Sequence, residues 1–505
     1  MIAQQIREGW RGFGGGSKLL LVLFLLLHIP AAYLAVNNMS CGFSPDRAAY
    51  EHLAQIDRVY EGKPIYAPMT VEFSPITYTP LYWVVCGWLW KLTGPGFFVP
   101  QLVSLLATFV FLYFAARFLW GGTSRDLFLT ALGIVDLLLL NLSTGIWLCG
   151  LNNDALHFAL TIAGFYCLGK AGPRPAAWAA LWLSLGALTK QTGLAYVAAG
   201  ALYVLLKEPR RFVFYAVPAL VVCGGGLAFL QIQSGGLFYD IVVKENRGPF
   251  WEMSRLVTEV WGSQFLGLVG ILSLFSLWPL LASKTWREAW QRMLTPEYTM
   301  AAAGMAVACI AQPKFGSGNN HAVIAITGLV ICGWQGLRFT MGQIRDAGIS
   351  ASLRGGAAVL QTVALLIPAW QQASVRLIDE ADRYKYSQIE EVFKRGYTVI
   401  YHFPYITGSF GYSEAGHQGN ELCRWINGQW SFANKPDFLS APYREQKFDY
   451  VILCASVVDQ ADPTIQAILA NYSVASTLPP HPTRPNTQMM RYPVYVLRAN
   501  RLNAP

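Results

Sequence analysis

The sequence predicts an all-α polytopic membrane protein with about eleven transmembrane helices, followed by a small soluble α/β domain. Three observations carry this. Of the 505 residues, 54% are hydrophobic and only 13% are charged, where a soluble protein would carry about 25% charged residues. Apolar runs recur along the first 371 residues, several of them approaching the ~20 residues that cross a bilayer. Beyond residue 371 charges and prolines return, and no further spanning run occurs.

Taken in order, Arg7, Arg11 and Lys18 precede the run LLLVLFLLLHIPAAYLAV. The run is long and lacks a small-residue cleavage site, so it reads as a retained helix over 19–36 rather than a removed signal. A polar, acidic stretch follows over 37–79, ending in VEFSPITYTPLYW. The segment 76–93 is short, crowded with Tyr and Trp and closed by Gly-Pro-Gly, which suits a helix lying at the membrane interface. Further apolar runs occupy 98–118, 127–148, 150–169, 176–189, 192–206, 212–232, 262–282, 298–312, 321–337 and 355–371. With 76–93 left out of the spans, loops on the side of the N-terminus hold 16 Lys and Arg, and the opposite loops hold 8. That bias makes the N-terminus cytoplasmic and the tail extracytoplasmic. The expected division is a membrane domain over 1–371, with 37–93 as its first outer loop, and an extracytoplasmic domain over 372–505. In that domain SQIEEVFKRG and PTIQAILANYS read as helices, and YTVIYHF, FDYVILCA and YPVYVLRA as strands, an α/β alternation.

Several classes drop out. The net charge of +9 comes from cations at helix ends in short loops, where topology explains them, so no nucleic-acid partner is expected. Nine cysteines form no CxxC pair, and most of them lie in or beside apolar runs as small hydrophobes. Cys41, Cys423 and Cys454 fall on the oxidising face and could pair, without the sequence selecting a partner. There is no Walker loop, nucleophile elbow, dinucleotide fingerprint, zinc spacing or internal repeat.

The chemistry-bearing residues sit at five polar interruptions that the topology sends to one side, and such groups at membrane depth are costly and usually functional. In the first loop Asp46 follows Pro45 and opens a helix-compatible stretch, which suits either a first-turn acid or a general base. Glu72 is a second acid or a solvated loop charge, and Tyr50 is a candidate for the acceptor site. Asp154, after Asn152 and Asn153, caps a helix or acts as an acid. Lys190, beside Gln191, lies between two short apolar stretches and either snorkels to the interface or pairs with an anion such as phosphate. Lys314 with the following GSGNNH, supplying Asn319, Asn320 and His321, offers a cation and hydrogen-bonding groups at a helix entrance. The loop after Lys244 adds Arg247.

Asp46 and Tyr50 in D-x-x-x-Y form, Gly62 and Tyr66 in G-x-x-x-Y form, and the Pro-Leu-aromatic YTPLYW together resemble the GT-C superfamily. These are integral-membrane glycosyltransferases that include the protein mannosyltransferase and lipid A aminoarabinose transferase families. ALTKQTGL and KFGSGNNH look like helix-break elements of its bacterial members. The resemblance implies inverting transfer of a sugar from a polyprenyl-phosphate donor to a glycan, lipid or protein acceptor at the outer face of the plasma membrane. It would make Asp46 the base and Lys190, Lys314 or Arg247 the cations that hold the donor phosphate. The chain departs from the pattern in having one acid at the first position and Tyr78-Thr79-Pro80-Leu81 where relatives have Lys or His before Pro-Pro-Leu. No cofactor is required by the residues, and a divalent metal ion is left open. The alternative is a transporter or flippase of a lipid-linked or small polar substrate. It accounts for the membrane part but brings the related halves of transporters to mind, which the sequence lacks.

Overall fold

The computed structural model describes residues 47–68, 75–120, 150–244, 274–311, 319–343, 399–401, 441, 443–454, 463–478 and 494–503. The chain divides into two compact units. One comprises Met1–Leu34, Leu102–Phe229 and Pro249–Ser374, the other Ala35–Gln101, Leu230–Gly248 and Val375–Pro505.

Within the second unit, α1 (Arg47–Glu61) is a helix of alternating character. Ala49, Leu53 and Ile56 recur at helical spacing and are fully buried. Pro80 opens α2 (Leu81–Thr93), which buries Tyr82, Trp83, Cys86 and Trp90. Its opposite side keeps Trp88 and Leu92 exposed, with the Lys91 ammonium 4.7 Å from the Trp88 ring centroid. The sequence expects a short aromatic helix here, and α2 is one.

In the first unit the membrane-type helices are α3 (Phe98–Leu119), α4 (Asp154–Leu168), α5 (Pro173–Thr189) and α6 (Gly193–Lys207). The apolar helix α7 (Pro209–Gln233) follows, entered through a 3₁₀ turn. It contains Pro218 and, just after it, a π turn at Leu220–Gly224. Proline removes one backbone donor from the ladder, and a wider turn is a common accommodation. A short polar helix, α8 (Trp286–Met293), is capped by Thr285, whose hydroxyl accepts from the Glu288 amide. Glu288 answers by accepting from the Lys284 amide at 3.0 Å, so two backbone donors at this helix start are satisfied by side chains. α9 (Pro296–Ala311) and α10 (Val323–Gln343) lie against each other. A Cβ on Gly328 would stand 2.7 Å from the Ala301 Cα, so small residues set this approach.

Among the described residues three helices are long and apolar enough to cross a membrane: Phe98–Leu119, Pro209–Gln233 and Asn320–Thr340. Asp154–Leu168 and Gly193–Lys207 are shorter apolar helices. The expected spans 19–36, 127–148 and 355–371, with most of 262–282, fall outside the described residues.

The tail holds a four-stranded sheet in the order β1-β2-β4-β3. β1 (Val399–Tyr401) pairs parallel with β2 (Tyr450–Cys454). β4 (Val494–Ala499) runs antiparallel to both β2 and β3 (Tyr472–Leu478). Val451 lies opposite Leu497, and both point into a core with Phe448, Ile468 and Tyr472. α11 (Pro463–Asn471) precedes β3. Three of the strands and α11 are where the sequence puts them; β3 is an addition, and the expected helix over SQIEEVFKRG lies outside the described residues.

Candidate active site

Four helices of the first unit converge on one buried polar cluster. α4 begins at Asp154 with Asn153 in the capping position. The Asn152 side-chain oxygen accepts from the Asp154 amide at 3.0 Å, and Ser104 of α3 donates to the Asn152 carbonyl at 3.3 Å. Chain direction here is therefore fixed by side chain to backbone bonds.

Between α5 and α6 the helix stops for three residues. Lys190 takes an extended backbone conformation, φ −151° and ψ 129°, and the chain turns back into helix at Gly193. Residue 193 has to be glycine because a Cβ there would stand 2.5 Å from the Ala187 backbone. A helix end leaves carbonyls without partners, and the break satisfies them from the side. Asn153 Nδ2 donates to the Thr189 carbonyl at 3.0 Å.

Into this break Lys190 projects its ammonium, which donates to Asp154 Oδ1 at 2.5 Å. Asn320, in the short turn ahead of α10, donates from Nδ2 to Asp154 Oδ2 at 2.8 Å. Lys190 is 1% exposed and Asp154 3% exposed, so both charges have left water. Such a pair persists only when it is hydrogen-bonded on its remaining sides. Among the described residues Asn152 Nδ2, Asn153 Oδ1 and Asn320 Oδ1 find no hydrogen-bond partner, so the cluster keeps hydrogen-bonding capacity unspent.

One member lies outside the expected set. His157, a turn below Asp154, is buried and its Nδ1 lies 3.0 Å from the Gly186 carbonyl. Its Nε2 lies 3.4 Å from Thr192 Oγ1. The sequence signal was the i, i+3 spacing to Asp154 on an otherwise apolar helix.

Of the expected site residues, the structure brings together Asp154, Lys190, Asn153 and Asn320. Gln191 occupies the same break, half-buried, and His321 is the half-buried neighbour of Asn320. Asp46, Glu72, Arg247 and Lys314 lie outside the described residues, as do the side chains of Tyr50 and Asn319.

In the second unit the first-loop motifs acquire structural reasons. Tyr66 donates to the Tyr78 carbonyl at 2.7 Å and sets its ring edge-on to Phe238. The Trp83 indole donates to His52 Nδ1 at 2.7 Å. Tyr78 stacks on His52 at 5.9 Å and 10°, while Tyr82 meets it edge-on. The Tyr66 phenol is pushed well above its ordinary pKa by burial, so it stays a donor.

The described residues hold no group of three or more His, Cys, Asp or Glu able to bind a metal ion. Both Asp154 oxygens are engaged by Lys190 and Asn320. This cluster does not fit a divalent cation.

Compared with solved structures, the chain is similar to ArnT from Cupriavidus metallidurans bound to undecaprenyl phosphate. The TM-score is 0.58 at 12% identity, over 94% of this chain and 98% of that one. The likeness is one of overall fold. The chain is also similar to the Archaeoglobus fulgidus oligosaccharyltransferase in its apo form, with a TM-score of 0.54 at 9% identity over 90% of this chain and 73% of that one. The same organism's AglB, in complex with an inhibitory peptide and a dolichol-phosphate, gives 0.51 at 11% identity over 96% and 75%. No protein-family model and no curated protein sequence matches the chain. At these identities the likeness is one of fold alone.

Proposed function

We propose that the chain is an inverting glycosyltransferase that moves a sugar from a polyprenyl-phosphate donor to an acceptor hydroxyl on a glycan, lipid or protein. The reaction would take place at the extracytoplasmic face of the plasma membrane, with the N-terminus cytoplasmic and residues 372–505 outside. The observation that carries this reading is the desolvated Lys190–Asp154–Asn320 cluster at a helix break within a GT-C-like fold. Support comes also from two proteins of like fold, ArnT with undecaprenyl phosphate and AglB with a dolichol-phosphate.

In this reading Asp46 takes the proton from the acceptor hydroxyl as its oxygen attacks the anomeric carbon. The bond from that carbon to the donor phosphate oxygen breaks on the opposite face, and the phosphate leaves with the electron pair. Configuration inverts because attack and departure lie in line. Lys190, Lys314 and Arg247 are the cations that steady the growing phosphate charge. Lys190 already carries Asp154 as its counter-charge, so it serves a phosphate by sharing that partner. One protein of like fold is an oligosaccharyltransferase complex with Zn and sulfate, which makes a chelator a useful arm of the assay.

The test is transfer by purified protein from a panel of polyprenyl-phosphate sugars. Asp46→Asn is expected to fold and to lose at least about a hundredfold in turnover, the range of a general base. Turnover near that of the unsubstituted protein would remove Asp46 from the role. Lys190→Ala is expected to weaken donor binding, and unchanged donor affinity would remove Lys190. Uptake of a lipid-linked or small polar substrate into liposomes without any sugar transfer would replace the enzyme with a transporter.

A further inference from the structure

We propose that His157 is a positioning residue, a strut across the α5–α6 break that holds the Lys190 ammonium on Asp154. This rests on the reading above only for its effect on the donor; its effect on Lys190 stands by itself. The Gly186 carbonyl can only accept, so His157 Nδ1 carries the hydrogen that reaches it at 3.0 Å. That tautomer leaves Nε2 to accept from the Thr192 hydroxyl at 3.4 Å. Gly186 belongs to the last turn of α5, and Thr192 is the capping position of α6. One imidazole therefore bonds both banks of the interruption, and Lys190 lies between them.

The same carbonyl ties the strut to the lysine directly. Gly186 O accepts from the Lys190 amide at 3.0 Å as well as from His157. The Lys190 carbonyl in turn accepts from the Gly193 amide at 2.8 Å. His157 is held from its own side: Thr161 donates to the His157 carbonyl at 2.8 Å, and the Tyr196 ring lies 5.7 Å away. Asp154 and His157 share one face of α4 at i, i+3 spacing. That helix thus supplies both the charge that Lys190 meets and the bond that aims it.

Three variants of the full-length protein in detergent test this. His157→Ala removes both bonds. His157→Asn keeps an amide donor near the position of Nδ1, and Thr192→Val removes only the second bond. The first readout is acylation of Lys190 by a small amine reagent, measured by peptide mass spectrometry against exposed Lys91 and Lys170 in the same sample. His157→Ala is expected to raise the relative modification of Lys190 about tenfold, and His157→Asn to hold it within about twofold of the unsubstituted protein. Thr192→Val falls between and decides the matter if His157→Ala does not fold. The second readout is donor kinetics. His157→Ala is expected to lower donor kcat/KM about fivefold or more, and to add nothing in a Lys190→Ala background.

Equal exposure of Lys190 in the Ala and Asn variants would overturn the strut, and so would full protection in both His157→Ala and Thr192→Val. An unsubstituted protein that transfers no sugar would sink the proposed function, while the acylation ratios would still decide the role of His157.

Discussion

At the scale of single residues, Lys190 and Asp154 spend their charges on each other inside an apolar layer. Removing one partner of a buried pair strands the other, at a cost of about 3–5 kcal/mol, whereas removing both is close to neutral. Lys190→Met and Asp154→Asn are therefore each expected to lower the thermal unfolding temperature in detergent. The double variant is expected to recover most of that loss. Losses that simply add would mean the two side chains do not stabilise each other. The sequence marks Lys190 as a lysine at depth and leaves two readings, snorkelling or an anion. The answer depends on a residue 36 positions away and on Asn320, 166 positions from Asp154. Pairing over such separations is a product of helix packing and leaves no periodic trace in the chain. His157 escaped notice for a related reason: a lone histidine on an apolar helix looks like packing until its two acceptor and donor partners are seen on different helices.

At the scale of elements, the break between α5 and α6 is legible because apolar runs stop at TKQT and resume after it. Pro173 and Pro175 mark the start of α5. The close crossing at Gly193 is less legible, since a glycine in an apolar stretch has many uses. Gly193→Ala would place a methyl 2.5 Å from the Ala187 backbone, which cannot yield as a side chain would. A stability loss of about 1–3 kcal/mol is expected, measured by thermal unfolding, together with looser protection of the Lys190 amide in hydrogen exchange. A neutral substitution would show that α6 can draw back without cost. β3 was missed because Tyr472 follows Asn471 with no Gly or Pro between helix and strand. Its Tyr, Val and Thr residues favour a strand, but the apolar pattern of α11 runs straight into them. The sheet supplies what the local pattern lacked, since β3 is paired along its length with β4.

At the scale of the whole molecule, the distribution of lysine and arginine proposes a topology in which Asp46 and Lys190 share a compartment. In a background without native cysteines, Asp46→Cys and Gln191→Cys are both expected to react with a membrane-impermeant thiol reagent added from outside. Reaction from opposite sides would separate the proposed base from the donor cations. The mostly helical fold with long apolar helices was legible because composition and run length report such helices directly. The number of spans was not, because α4, α5 and α6 are 15, 17 and 15 residues long. Such helices are shorter than the ~20 residues of a full crossing, so length alone does not separate a span from a helix that stops partway.

The π turn at Leu220–Gly224 gives α7 an unequal tolerance to deletion along its length. A π turn is an α-helix holding one surplus residue. Losing a residue there would let the coil tighten to ordinary spacing and leave everything downstream facing as before. Losing one elsewhere in the same helix would swing the remainder by about 100°, carrying Gly226 away from Leu188, against which it now sits.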